Sequence, residues 1–178
     1  MEESSEILLV PHDRIGVLIG PKGAVKRQIE KKTQTKIDIE SEEGEVEITQ
    51  KGDVLKYLKA LSITKAIARG FSPENALLLL QDERVLEIID VRDTVGKNKS
   101  AITAKKGRVI GAKGKARNEI EHESGTKISV YGKTISIIGK PEEIQKAIRA
   151  INLLLGGASH DMAYDYLKKD FEKGKFEL

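Results

Sequence analysis

Residues 15–39, IGVLIGPKGAVKRQIEKKTQTKIDI, decide the fold, because a similar sequence returns at residues 106–130 as KGRVIGAKGKARNEIEHESGTKISV. Ten of the 25 aligned positions are identical, and each copy carries a Gly-x-x-Gly motif between an isoleucine and a basic stretch. Further on, Ile48-x-x-x-Gly52 matches Ile135-x-x-x-Gly139 if four extra residues lie in an acidic loop of the first copy. Self-similarity of this kind is the signature of a repeated structural unit. The sequence therefore predicts two copies of one module.

Hydrophobic periodicity gives both copies the same order of elements: strand, short helix, Gly-x-x-Gly, helix, strand, strand, helix. This order predicts an α+β fold for each module. The predicted strands are 6–10, 36–39, 46–49, 85–91, 127–130 and 134–138, and the predicted longer helices are 24–32, 53–68, 115–123 and 141–155. The apolar residues of the two closing helices, expected to face the core, are Leu55, Leu58, Ile63 and Ile67, and Ile144, Ile148, Ile151 and Leu155.

The modules are predicted to span residues 1–70 and 83–155. Between them, Ser72-Pro73-Glu74 combines an N-cap residue, a first-turn proline and an acidic side chain near the positive helix end, so residues 71–82 are predicted to form a connecting helix. Residues 156–178 are predicted to form a helical tail that docks on the second module. Its helix, 159–171, is expected to turn Met162, Tyr166 and Leu167 inward and Lys168 and Lys169 outward.

The net charge of +3 conceals an uneven distribution along the chain. Residues 1–70 hold 12 basic and 12 acidic side chains, whereas residues 97–149 hold 13 basic and 5 acidic ones, a net charge of +8. Five glutamates fall within residues 39–47 of the first module. A chain with 33% charged residues also fits the ion-paired surface of a heat-adapted, thermophilic protein. Segregation of the two signs, however, favours a polyanion partner for the second module.

Composition excludes several other chemistries. Without cysteine there is no disulfide, no thiolate nucleophile and no cysteine-based metal site. His12, His122 and His160 are too scattered to suggest a metal centre, and no cofactor motif is present. The chain has no apolar run long enough to span a membrane, and its acidic N-terminus is unlike a signal peptide, so a cytoplasmic protein is expected. The motif at residues 111–116 lacks the Ser or Thr of a phosphate-binding NTPase loop, so no enzymatic activity is predicted.

Two glycines in a bend between helices let a sugar-phosphate backbone approach the main chain, and the next helix offers free amide groups to phosphate oxygens. Lys22 and Lys113, and basic residues one turn further, would add positive charge. Only 4% of residues are aromatic, so unpaired bases are expected in an aliphatic groove with a floor of Leu18, Ile19 and Ile37, or Val109, Ile110 and Ile128. The candidate RNA-binding residues are Ile19, Gly20, Pro21, Lys22, Gly23 and Lys26 in the first copy, and Arg108, Val109, Ile110, Gly111, Ala112, Lys113, Gly114, Lys115, Arg117, Lys127 and Ile128 in the second.

These features resemble the type I KH (hnRNP K homology) domain, whose element order is βααββα. The resemblance implies that each module is an antiparallel three-stranded sheet packed with three helices on one face. Residues 111–121, with Thr126-Lys127-Ile128, Leu154-Leu155-Gly156 and Tyr164, are similar to the second KH domain of the partner-of-Nob family of small-subunit ribosome-assembly factors, in its archaeal form. The resemblance implies binding to single-stranded RNA at the 3′ end of 16S ribosomal RNA or its precursor during rRNA processing. It also implies contact with the α subunit of translation initiation factor two and with the Nob endonuclease.

Eukaryotic members of that family have generally lost the first Gly-x-x-Gly, which this sequence keeps at Gly20 and Gly23. Because the glutamates of the first module oppose RNA phosphates, the second module is predicted to supply most of the RNA affinity. The first is then a weaker or protein-contacting copy. Two alternatives stay open: a KH-fold scaffold for protein interactions, and a general RNA-binding protein of RNA processing or decay.

Overall fold

The computed structural model describes residues 3–173, and the chain divides into two compact units between Arg84 and Val85. Each unit has its own three-stranded sheet and its own helices, so the repeated sequence forms two separate cores. The predicted α+β fold with two KH-type modules is confirmed.

The first unit follows the predicted order, with every boundary within two residues of the prediction. Its elements are β1 (Ser5–Leu9), α1 (His12–Ile19), α2 (Ala24–Thr33), β2 (Thr35–Glu40), β3 (Glu45–Gln50), α3 (Val54–Ala68) and α4 (Pro73–Ala76), which continues as a 3-10 turn over Leu77–Leu80. Asp53 begins α3 because its carboxylate accepts the amides of Leu55 and Lys56. Ser72 starts α4 in the same way, through the amide of Asn75.

The second unit repeats this order and adds helices at two points. Its elements are β4 (Val85–Asp90), α5 (Arg92–Val95), α6 (Lys99–Ile110), α7 (Lys115–Ser124), β5 (Lys127–Tyr131), β6 (Thr134–Gly139), α8 (Pro141–Leu155) and α9 (His160–Lys173). The strand predicted over 85–91 ends one residue early, because Val91 already caps the short helix α5.

Both sheets are antiparallel and place the last strand of the hairpin in the centre, in the orders β1-β3-β2 and β4-β6-β5. Ile37 pairs with Ile48 in the first sheet, and Ile128 pairs with Ile137 in the second. These residues face the helices and are buried, as are Ile29 of α2 and Ile120 of α7. The edge strands β2 and β5 therefore border the helices that follow the Gly-x-x-Gly loops.

The register corrects the predicted position of the four extra residues. Ile37 and Ile128 are equivalent in the repeat, so their partners Ile48 and Ile137 are equivalent too, and the predicted match of Ile48 with Ile135 is wrong. Two of the extra residues lie in the hairpin, which connects its strands through 41–44 in the first unit and 132–133 in the second. The other two lie between β3 and α3, where residues 51–53 stand against the single Lys140.

Two predicted core faces also need correction. Leu55 and Leu58 are 65% and 51% exposed, because α3 turns Ala60, Ile63 and Ile67 inward instead. On α9, Met162 is 56% exposed. The buried positions there are Ala163 and Leu167, since a helix that packs along one side buries positions four residues apart.

In each unit an arginine of the helix before the Gly-x-x-Gly loop donates two hydrogen bonds to carbonyls at the end of the closing helix. We call this pair of hydrogen bonds the arginine tie. Arg14 of α1 donates from Nε to the carbonyl of Ile67 at 2.8 Å and from Nη2 to that of Phe71 at 2.6 Å. Arg108 of α6 donates from Nη1 to Leu154 at 2.8 Å and from Nη2 to Ala158 at 2.6 Å. The two arginines are not aligned in the repeat, yet each binds one carbonyl in the last turn of the closing helix and one just after that helix.

The segments after the closing helices differ between the units. In the first unit, α4 and the 3-10 turn pack on α3, and Lys59 Nζ donates to the carbonyl of Leu80 at 2.7 Å. In the second, α9 packs on α7 and α8. Residues 174–178 of the predicted tail lie outside the described residues.

Candidate nucleic-acid interface

The two Gly-x-x-Gly loops have the same backbone conformation. The φ angles are 72°, 51° and 74° at Gly20, Lys22 and Gly23, and 73°, 54° and 74° at Gly111, Lys113 and Gly114. Each loop is a single 3-10 turn, Pro21–Gly23 or Ala112–Gly114, between two α-helices. A lysine in the left-handed region is uncommon and costs about 1–2 kcal/mol. The loop therefore holds Lys22 and Lys113 in a conformation that most non-glycine residues avoid.

The two glycines of each motif are present for different physical reasons. A Cβ on Gly111 would lie 2.7 Å from both the backbone nitrogen and the Cβ of Ala116, and one on Gly20 would lie 2.4 Å from Cγ2 of Val25. The first glycine is thus required for two helices to meet. Around Gly114 there is more room, because the nearest atom to an added Cβ is Nη2 of Arg117 at 3.7 Å. This second glycine leaves the outer side of the loop open to a ligand.

Positive charge lies beside a helix N-terminus at each loop. Helices α2 and α7 begin directly after Gly23 and Gly114, and neither has a side-chain cap. Lys22, Lys113 and Lys115 are exposed beside them. The positive end of a helix dipole without a side-chain cap, together with lysine ammonium groups, forms a site for phosphate.

A glutamate about two turns into the helix links this site to the edge strand in both units. Oε1 of Glu30 accepts the amide of Ile37 at 2.9 Å, and Oε2 of Glu121 accepts that of Ile128 at 3.1 Å. The same carboxylates lie 3.4 Å from Lys26 Nζ and 3.6 Å from Arg117 Nε. The two predicted basic residues are therefore partly neutralised. The repeat had marked both glutamates as identical, but only the structure gives their role.

The predicted aliphatic floor lies deeper than expected. Leu18, Ile37 and Val109 have no exposed surface, and Ile128 has 5%, so all four belong to the cores. Of the predicted floor residues, only Ile19 and Ile110 are partly exposed next to the loops.

Two predicted contacts of the second unit lie apart from the loop surface. Both guanidinium donors of Arg108 named above bind backbone carbonyls, one in the last turn of α8 and one just after that helix. Strand alternation places Lys127 on the opposite face of β5 from the core residue Ile128. The structure thus brings together Gly111, Ala112, Lys113, Gly114 and Lys115, with Ile110 beneath them.

The first loop is more closed than the second. Nη1 of Arg27 donates to the carbonyl of Lys22 at 2.6 Å, and Pro21 contributes no amide. The residue that corresponds to Arg27 is Asn118, which is exposed. Sequence reasoning missed Arg27, although its position one turn after the motif was a visible signal.

The C-terminal helix adds aromatic groups beside the second loop that the sequence did not predict as part of the site. His160 Nε2 lies 2.9 Å from the carbonyl oxygen of Arg108, and its ring centroid lies 6.1 Å from that of Tyr164. Burial of Tyr164, and then the nearby charges of Glu119 and Asp161, raise the pKa of its phenol. Together with the loop, these residues border a cavity of about 290 Å³.

Among the side chains of residues 3–169, no cluster of three or more His, Asp or Glu could hold a metal ion. Over residues 3–173, no helix is both long and apolar enough to cross a lipid bilayer.

Comparison with known proteins agrees with this geometry. Residues 85–171 match the model of the eukaryotic type (type I) KH domain for the second domain of PNO1, and residues 5–63 match the general KH-domain model. The KH domain-containing protein MJ0443 of Methanocaldococcus jannaschii is 46% identical over 183 residues, which cover 99% of this chain and 80% of the relative.

More distant relatives include the pre-rRNA-processing protein pno1 of Emericella nidulans, 28% identical over 78% of this chain and 55% of its own length. A chain in the crystal structure of the a/eIF2alpha-aDim2p-rRNA complex from Pyrococcus horikoshii OT3 is 46% identical. It superposes with a TM-score of 0.91 over 96% of both chains. The chain therefore belongs to the family of tandem KH-domain proteins that includes PNO1 and Dim2.

Proposed function

We propose that this protein binds single-stranded RNA and acts in maturation of the small ribosomal subunit, at the 3′ end of 16S ribosomal RNA or its precursor. The observation that carries the proposal is the pair of loops with one backbone conformation, each at an uncapped helix N-terminus beside exposed lysine. The rRNA in the complex of the similar Pyrococcus structure, and the pre-rRNA-processing relatives, support a ribosomal RNA as the ligand.

The second unit supplies most of the affinity. Between Lys97 and Arg117 the chain has eight basic residues and no acidic one. Its loop offers the amide of Ala112, where the first loop has Pro21. In the first unit, the hairpin carries the glutamates that repel phosphate, and Arg27 already occupies the carbonyl of Lys22.

The proposed action is to hold and position RNA. Loop amides and the side chains of Lys113 and Lys115 bind the phosphates, while unpaired bases lie along the edge strand β5. No cofactor takes part, and no step of catalysis is assigned to the chain. A role on a ribosomal precursor implies the cytoplasm as the site of action.

The first unit has a surface that favours a protein partner. Ile7 and Leu9 of β1 are 58% and 73% exposed, and they pair in register with Glu47 and Glu45. Ile7 also borders a cavity of about 300 Å³ with acidic walls, formed by Asp38, Ile39, Glu40, Glu45 and Glu47. Exposed apolar side chains surrounded by carboxylates are complementary to a protein surface that carries basic residues. The a/eIF2alpha of the Pyrococcus complex supports the α subunit of translation initiation factor two as that partner. Contact with the Nob endonuclease stays a prediction.

The test is ultraviolet crosslinking of the full-length protein in cell extract, followed by sequencing of the bound RNA. We expect reads concentrated at the 3′ end of 16S rRNA and its precursor. Reads spread over messenger RNAs would favour general RNA processing or decay.

A salt titration separates RNA binding from a purely protein-binding scaffold. If the loops neutralise phosphates, log affinity for single-stranded RNA falls with log salt by about 0.7 per phosphate contact. A scaffold shows no such binding. A variant with Leu9→Arg and Glu45→Lys is expected to keep RNA affinity and to lose the protein partner.

A further inference from the structure

We propose that the C-terminal helix α9 completes the RNA site of the second unit. The cavity between α9 and the Gly-x-x-Gly loop holds one unpaired nucleobase against Tyr164, next to the phosphate that the loop binds. The inference rests on the proposed function, because it requires an RNA strand on the loop.

The cavity is continuous with the phosphate site. Its volume is about 290 Å³, and its walls are Gly111, Ala112, Lys115, Ala116, His160, Asp161 and Tyr164. Gly111 and Ala112 thus belong both to the loop and to the cavity wall. A strand that crosses the loop reaches the cavity with its adjacent nucleotide.

The aromatic wall is held in place before any ligand arrives. Ala163 and Leu167 anchor α9, with 0% and 1% of their surface exposed. The His160 ring is fixed by its contact with the Arg108 carbonyl, in the turn that leads into the loop. Its plane lies at 50° to that of Tyr164. A rigid, partly exposed tyrosine loses little entropy when a base stacks on it.

The charges in the cavity favour a base over a phosphate. Asp161 lines the cavity beside Tyr164, so a phosphate there would face its carboxylate, whereas Lys115 of the same wall is assigned to the phosphate on the loop. A carboxylate is instead a good acceptor for the exocyclic amine of adenine, cytosine or guanine. Uracil has no such amine. The cavity should therefore prefer an amine-bearing base to uracil.

The first unit provides a contrast at the corresponding place in the chain. After α3, residues 73–80 turn back onto α3 itself and contain no aromatic residue. The aromatic extension is thus a feature of the second unit, which is the one expected to bind RNA more tightly.

The experiment measures affinity of the full-length protein for oligoadenylates of four and seven nucleotides, by fluorescence anisotropy. The shorter RNA fills only the groove of the KH domain, whereas the longer one also reaches the cavity. Tyr164→Ala is expected to weaken the heptamer about 5- to 50-fold, as loss of one stacked base does, and to change tetramer affinity less than about twofold. Tyr164→Phe should keep the heptamer affinity.

Met162→Ala is the matched control, since Met162 is exposed on the same helix and is not part of this cavity. It should leave both affinities unchanged. Asp161→Asn should reduce the preference for the adenylate over the uridylate heptamer. Thermal unfolding of each variant shows whether it folds.

Equal losses for both RNA lengths, or an unchanged heptamer affinity in Tyr164→Ala, would overturn the proposal. If Tyr164→Ala does not fold, mass spectrometry of the wild-type protein crosslinked to the heptamer decides. A crosslink within 160–164 supports the proposal, and crosslinks confined to the loop and β5 contradict it. Failure of the underlying RNA function is distinguishable, because Ala112→Asp with Lys113→Asp would then leave affinity at the wild-type level.

Discussion

The two Gly-x-x-Gly loops share their backbone to within a few degrees but lie in opposite electrostatic surroundings. In the first unit the loop is braced by Arg27, lacks one amide at Pro21, and belongs to a module with a glutamate-rich hairpin. In the second, the loop is unbraced and continues a stretch without acidic residues. Duplication thus preserved the shape of the phosphate site, whereas the residues around it decide how strongly each copy can bind a polyanion.

The largest expected effect separates the loops directly. Ala112→Asp with Lys113→Asp should reduce RNA affinity at least about 100-fold, because it replaces a phosphate-binding cation by two anions. The matched pair Pro21→Asp with Lys22→Asp should reduce it less than about tenfold. Aspartate tolerates the left-handed region, so both variants should fold. Equal losses in an anisotropy titration would remove the ranking of the two units.

The next effect separates the two glycines within one loop. Gly111→Ala should lower the free energy of unfolding by about 2 kcal/mol, because the added methyl group meets the backbone of Ala116 and the dihedral angles suit only glycine. Gly114→Ala should cost about 1 kcal/mol, from its left-handed conformation alone. Denaturant unfolding measures both.

Gly20→Ala is the control in the first unit and should resemble Gly111→Ala in stability. If Gly114→Ala proved the more destabilising change, the assignment of the first glycine to helix packing and the second to ligand access would be wrong.

A third pair of variants tests the arginine ties. Arg14→Ala and Arg108→Ala should each destabilise the protein by about 1.5 kcal/mol, since each removes two charge-assisted hydrogen bonds to partly buried carbonyls. RNA affinity of folded Arg108→Ala should stay within about threefold of wild type, a small change for a basic residue that does not touch phosphate. A much larger loss of affinity would show that Arg108 contacts RNA.

The smallest effect concerns pH and the start of each unit's first helix. The guanidinium of Arg92 pairs with Asp90, and the amide of Arg92 donates to the same carboxylate at 2.9 Å; together they lower the pKa of Asp90 to about 2. In the first unit, Pro11 stands at the start of the first helix. The lowered pKa contributes stability above the unfolded value near 4, and this stability is lost as pH falls through about 2. The melting-temperature difference between wild type and Asp90→Asn should therefore shrink between about pH 4 and pH 2. A difference that stays constant over this range would contradict the role of the ion pair.

Repetition and periodicity were sufficient to predict the order of elements, because strands and helices are local patterns and the copies confirm each other. The sequence could not show which side of α3 or α9 is buried, since both helices carry apolar residues such as Leu55 and Met162 on their exposed sides. Nor could it divide the four extra residues between two connections, because strand register depends on pairing between distant residues.

The site was predicted in part for the same reason. Glycines and lysines of the loop are recognisable because their backbone role is fixed by the motif. Arg108 donates to a backbone carbonyl just before α9, and Tyr164 of α9 lies beside the loop. Both contacts depend on how the chain folds back after α8, which no local sequence pattern encodes.

The arginine ties also determine where the protein can be cut. A fragment of the second unit that ends at Leu155 would keep every KH element but lose the Ala158 carbonyl, and Arg108 would retain only one of its two partners there. The same holds for a fragment of the first unit that stops before Phe71. A fragment of either unit should therefore extend about one turn beyond its last KH helix. When domains are exchanged between relatives, the junctions should lie after residues 71 and 158.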